Sequence, residues 1–169
     1  MTDEKDVGGG MTPPKVLVLG VGNLLLKDDG VGVHVINALR ETQFPDNVQL
    51  IDAGVVSHQL ISLFHETDYL ILVDAVSAND VPGSLYRFTP DDIDFLQSGY
   101  KMSLHEMTLV DILQMAEMTG AKPEAVIIGI QPKDVSSWSL ELSDEVQAVV
   151  PRVKALVIEE LKRINALPS

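Results

Sequence analysis

Cysteine is missing from all 169 residues. Disulfides, zinc ribbons, thiolate metal sites and cysteine nucleophiles are therefore excluded. Basic residues are scarce: 12 Lys and Arg stand against 25 Asp and Glu, a net charge of -13. So acidic a chain lacks the basic face with which nucleic-acid binders replace counterions around phosphate. It lacks equally the polybasic patch that docks on anionic lipid. No apolar run approaches the ~20 residues of a membrane-spanning helix. The opening MTDEKDVGGGMTPPK is acidic and Gly-rich, without the basic and then apolar regions of a signal peptide. The expectation is a cytoplasmic protein with neither a nucleic-acid nor a membrane partner.

What remains is ample for a core. Hydrophobic residues make up 46% of the chain and the mean hydropathy is +0.17, which argues against intrinsic disorder. The length suits one domain. Gly8-Gly9-Gly10 and Pro13-Pro14 cannot continue a helix or a central strand, so residues 1–14 read as a flexible lead and 15–169 as a single folded domain. The surplus acid is compatible with a solvated surface, a cationic partner or a metal-binding cleft.

Strand and helix patterns alternate along that domain. KVLVLG (15–20), VQLID (48–52), YLILVDAV (69–76) and AVIIGI (125–130) are short apolar runs, as expected of strands in a largely parallel sheet. SLYRF (84–88), after Pro82-Gly83, reads as an edge strand. Helical spacing predicts helices over 29–40, 55–65, 105–118 and 144–165. Ser143 is a good N-cap for the last of these, and Pro151 should kink or interrupt it. The prediction is an α/β fold: a three-layer sandwich with a mostly parallel central sheet flanked by helices. In such sheets ligands bind beyond the carboxyl ends of the strands, so reactive side chains there carry the functional argument.

Several residues qualify. After the first strand comes Gly20-Val21-Gly22-Asn23, then Lys27-Asp28-Asp29-Gly30 before a helix. Leu25 stands where the dinucleotide fingerprint needs its third glycine, and no Gly-Lys-Ser/Thr follows, so neither phosphate-binding loop fits. Asp28 has a plain reading as an N-cap, which Asn could replace, and Asp29 as a complement to the helix dipole. Asp74 closes the most strand-like run, either as a turn former or as a strand-end acid placed for chemistry. His105 starts a helix. Leu109 rules out an HExxH zinc motif there, and the residue reads either as a half-exposed helix-end histidine or as a ligand. His34, His58 and His65 read as surface or packing residues. Asp52 and Gln131 also close strands. No GxSxG turn supports a serine hydrolase. Asp29, Asp74 and His105 stand out as two carboxylates and one imidazole at element ends near one edge. That is a three-ligand set suited to a borderline divalent ion such as nickel or zinc.

From about residue 15 to 165 the chain resembles the nickel-iron hydrogenase maturation endopeptidases. The resemblance rests on VLVLGVGNLLLKDDGVGVHV (16–35), the ID-x-G turn at 51–54, LILVDAV (70–76), Pro82-Gly83, His105 before a helix, and GIQP (129–132), all in the family's order. It departs at Asp52-Ala53-Gly54-Val55-Val56-Ser57, where the family often reads Asp-Gly-Gly-Thr. The resemblance implies an endopeptidase that trims the C-terminal extension of a hydrogenase large-subunit precursor after nickel insertion. Asp29, Asp74 and His105 match the family's metal-contacting residues, and the nickel is implied to arrive with the substrate. Nickel then polarises the scissile carbonyl or activates water, or it only positions the peptide while a carboxylate acts as general base. There are two alternatives: a non-proteolytic nickel-binding maturation chaperone using the same three side chains, and a nucleotide-binding Rossmann-like enzyme suggested by Gly20-x-Gly22.

Overall fold

The computed structural model describes residues 11–54, 59–92, 101–102 and 109–168. Its strands are β1 (Val16–Val21), β2 (Val48–Gly54), β3 (Tyr69–Ser77), β4 (Leu85–Phe88), β5 (Lys101–Met102) and β6 (Glu124–Ile130). Its helices are α1 (Val31–Leu39), α2 (Leu60–Phe64), α3 (Leu109–Met118) and α4 (Asp144–Arg163), and a 3-10 turn (Lys27–Gly30) leads into α1. The sheet runs in the order β2-β1-β3-β6-β4. The first four strands in that order are parallel, β4 is antiparallel at the edge, and β5 pairs antiparallel with the tail of β3.

Alternation along each strand divides the core into two layers. Val16 and Val18 of β1, Ile71 and Val73 of β3, and Val126 and Ile128 of β6 pack with α1 and α4 on one face. Leu17, Leu19, Leu70, Leu72 and Ile127 pack with α2 and α3 on the other. Strands covered on both faces have no exposed side to make polar, which is why β1 and β3 are continuous apolar runs. This is the three-layer α/β sandwich expected from the sequence.

The helices depart from their expected boundaries. Residues 29–40 divide into the 3-10 turn and α1. Of the helix expected over 55–65, Leu60–Phe64 is helical, and Val55, Val56, Ser57 and His58 lie outside the described residues. Of that expected over 105–118, Leu109–Met118 is helical, and His105 lies outside the described residues. The expected interruption at Pro151 is absent: α4 runs unbroken through it for 20 residues. Val146, Val150, Val153, Val157 and Leu161 bury one stripe of that helix, and their packing outweighs the hydrogen bond that proline removes.

The strand order places the site. From β1 the chain crosses by α1 to β2 on one side. From β2 it returns by α2 to β3 on the other side of β1. The direction of winding therefore reverses between β1 and β3, and a crevice opens at their carboxyl ends. Register aligns Gly20 of β1 with Asp52 of β2 and Val73 of β3. Asp74 follows at once, paired with Gly129 of β6.

Candidate active site

Glycine brings the pieces of this crevice together. A Cβ on Gly32 would lie 2.3 Å from the Val73 carbonyl oxygen, and one on Gly20 would lie 2.2 Å from that of Gly32. Only bare backbone lets α1 start this close to β1 and β3. Gly22, at φ +132, would put a Cβ 1.8 Å from the Asp29 carbonyl oxygen. The space beside these glycines, where a phosphate cradle would need room, is thus filled by the chain's own turn.

Asp29 sits in that turn, buried, with Oδ2 accepting a 2.8 Å hydrogen bond from the Asn23 amide. The Asn23 side chain in turn accepts from the Leu25 amide at 3.0 Å, which shapes the loop. Asp74 is also buried, its Oδ1 accepting from the Ala75 amide at 2.8 Å. Its parity along β3 matches Leu70, Leu72 and Val76, so it belongs to the face covered by α2 and α3. Helix α3 ends six residues before the first residue of β6, Glu124, and so runs back from the carboxyl edge toward the amino edge of the sheet. The segment leading into it carries His105, outside the described residues. Among the described residues, no three His, Cys, Asp or Glu side chains gather as a metal site. The structure therefore brings Asp29 and Asp74 to one edge on adjoining elements, buried where water competes little for their charge.

The neighbouring acid behaves differently from its sequence reading. Asp28 does not cap α1, whose N-cap position is Gly30 with no side-chain bond. Asp28 is fully buried. Its Oδ2 accepts from the Lys133 and Asp134 amides at 2.9 and 3.0 Å and from Ser143 Oγ at 2.8 Å, and its Oδ1 accepts from the Ser143 amide at 2.7 Å. Ser143 does precede α4, but its hydroxyl is spent on Asp28 and makes no cap bond to the helix. The buried carboxylate thereby ties the turn that carries Asp29 to the loop after β6. Sequence spacing holds no signal of this, because the partners lie 105 to 115 residues away.

Other strand-end residues take structural parts. Gln131 is buried and its Oε1 accepts from the Ala78 amide at 2.7 Å, fixing the loop after β3. Asp52 is exposed and folds back on the Gly54 amide at 2.8 Å. His34 Nε2 meets the Leu140 carbonyl at 3.1 Å, and the exposed His65 meets the Thr119 hydroxyl at 3.0 Å. A cavity of about 890 Å³ opens at the opposite, amino edge of the sheet beside Tyr69, Arg87, Lys122, Glu124 and Arg163. Neither buried carboxylate of the crevice lines it.

Comparison with known proteins decides the family. The family model described as hydrogenase maturation protease (HycI) matches residues 33–160. The chain belongs to the hydrogenase maturation protease family. It is an endopeptidase by that membership. The hydrogenase 2 maturation protease of Escherichia coli is 30% identical, over 91% of this chain and 96% of that protein. The hydrogenase expression/formation protein HoxM of Azotobacter vinelandii is 35% identical, over 89% of this chain and 74% of its own. Among solved structures, the hydrogenase maturating endopeptidase HybD from E. coli superposes with a TM-score of 0.79 at 29% identity, covering 88% of this chain and 93% of that one. No described helix is long and apolar enough to cross a membrane.

Proposed function

We propose that this protease removes the C-terminal extension of a nickel-iron hydrogenase large-subunit precursor, in the cytoplasm, after nickel has been inserted into that precursor. Asp29, Asp74 and His105 receive the nickel that the substrate carries. The observation that supports this most is the pair of buried carboxylates at the β1/β3 crevice, on elements that only glycine packing lets approach. Such a pair attracts a divalent ion, and its oxygen donors with one imidazole suit a borderline metal whose softer ligands come from elsewhere. A chain without cysteine leaves the thiolates to the substrate. Docking the ion holds the scissile peptide against the same carboxylates. A carboxylate there orients the attacking water, takes its proton and returns it to the leaving amine.

The test is incubation with a nickel-loaded precursor and with the metal-free precursor, read by the mass of the large subunit. Cleavage of the nickel-loaded form only, lost in Asp29→Asn, Asp74→Asn and His105→Ala, is the expected result. Binding without cleavage by the unaltered chain would replace the protease reading by that of a nickel-binding chaperone.

A further inference from the structure

We infer that the loop from Pro132 to Leu142 is a preformed docking platform for the body of the precursor protein, centred on Trp138. The inference rests on the proposed function and extends it from the cut peptide to the surface that recruits the substrate.

Trp138 is the single tryptophan of the chain, and 79% of it is exposed. Leu140 is 58% and Leu25 49% exposed beside it. An isolated bridge between the loop and the turn at 23–30 presents these side chains together. The Ser139 amide donates to the Leu25 carbonyl at 3.0 Å and the Lys27 amide to the Ser139 carbonyl at 3.0 Å, a parallel bridge between Leu26 and Ser139. Leu25, Trp138 and Leu140 are exposed there, whereas Leu26 and Ser139 are half-buried. Large apolar side chains grouped on a surface mark interaction sites, and tryptophan is among the commonest anchors of protein interfaces.

The crest is rigid before any partner arrives. Asp134 Oδ1 accepts from the Ser136 and Ser137 amides at 2.9 and 3.0 Å, which folds the loop ahead of Trp138. Buried Asp28 anchors its two ends through the Lys133, Asp134 and Ser143 amides. Preorganisation of this kind lowers the cost of binding.

Two features select the occupant. The crest is bridged to the turn at 23–30 that also carries Asp29, so it is joined to the crevice, and a protease's crevice takes a polypeptide. Beside the crest a recess of about 340 Å³ is lined by Lys27, Lys133, Asp134, Glu141, Asp144 and Glu145. Its four acids outnumber its two lysines, and Lys133 is already paired with Glu145 at 2.7 Å. The occupant is therefore a precursor face with an apolar socket bordered by a basic side chain.

The test uses the full chain labelled with 5-fluorotryptophan, which carries one fluorine resonance. An Asp29→Asn background keeps the substrate uncut. Saturating nickel-loaded precursor shifts that resonance, and in the unaltered background Trp138→Ala raises KM at least about tenfold with kcat within about twofold. Met118→Ala is the control: this side chain is 87% exposed at the far end of α3 and its loss leaves KM unchanged. An unmoved resonance, or an unchanged KM in Trp138→Ala, overturns the platform. So does a homodimer in sedimentation that Trp138→Ala dissociates, because the occupant is then a second copy. Full processing by Asp29→Asn overturns the proposed site and leaves the platform standing on its KM. If the unaltered chain cuts no precursor, the fluorine shift alone decides the platform.

Discussion

Adjacent aspartates at 28 and 29 face opposite tasks. Asp29 stands at the crevice, and Asp28 turns into the protein, where its carboxylate is ringed by donors. An amide at position 28 must turn an N–H₂ group against one of those donors. Asp28→Asn therefore costs about 2–3 kcal/mol, and lowers Tm by about 4–12 °C in a domain of this size. Differential scanning calorimetry reads the shift. Asp29→Asn keeps the shape of the side chain and an oxygen to which the Asn23 amide can still donate. It is expected to hold Tm within about 2 °C of the unaltered chain, while losing precursor processing, measured by mass. A result in which Asp28→Asn melts with the unaltered chain would show that the buried bonds are not what holds the turn.

Two features of one helix carry predictions of their own. In α4 the proline at 151 is exposed and stands inside a helix that does not break. Pro151→Ala restores a backbone donor toward the Gln147 carbonyl, and is partly offset by a floppier unfolded chain. The net expectation is a gain of about 1–2 kcal/mol in urea unfolding. Near its end the same helix places Glu160, almost fully buried, against Tyr69 Oη at 2.7 Å and the Arg87 guanidinium at 2.9 Å, with Arg163 closing the cluster. Burial works to raise the Glu160 pKa, but hydrogen bonds from Arg163, Arg87 and Tyr69 outweigh it and hold it down at about 2. Burial first, then the bond to Glu160, pushes the Tyr69 phenol up to about 12. A carboxylate held below its ordinary value stabilises the fold fully above that value, and the contribution is lost as pH falls through the folded pKa. The Glu160 contribution, on the order of 2–3 kcal/mol, is thus present at neutral pH and fades between its ordinary value of 4.5 and about 2. Urea midpoints of the unaltered chain and Glu160→Gln should differ at about pH 6 and converge over that interval.

At the scale of the molecule, the sheet and its glycines set what can approach what. Gly32→Ala forces a methyl against the Val73 carbonyl and pushes α1 from the sheet. A loss of about 2–3 kcal/mol in urea unfolding is expected, by analogy with overpacked cores, with processing lost alongside. Much of this architecture is legible in the sequence. The four parallel strands fall within about two residues of their apolar runs, because a strand buried on both faces has no reason to interrupt itself. Their order and the crevice follow from winding, which residues alone do not display. Asp29 and Asp74 can be picked out because an acid at the end of an apolar run or ahead of a helix is conspicuous. Asp28 reads as a cap, since its partners are distant in sequence and nothing local distinguishes a caged carboxylate from an exposed one. Trp138 escapes sequence reading because one aromatic in a polar loop has no periodicity.

The Asp28 cage also has a consequence in time. A chain emerging from the ribosome makes the segment at residues 27–30 early, but Lys133, Asp134 and Ser143 arrive more than a hundred residues later. Until then the carboxylate has only water to satisfy it and no reason to bury itself. The turn that carries Asp29 therefore gains its distant ties only once residues 133–143 are in place, and a chain cut short before Ser143 is expected to lose that buried anchor and precursor processing with it.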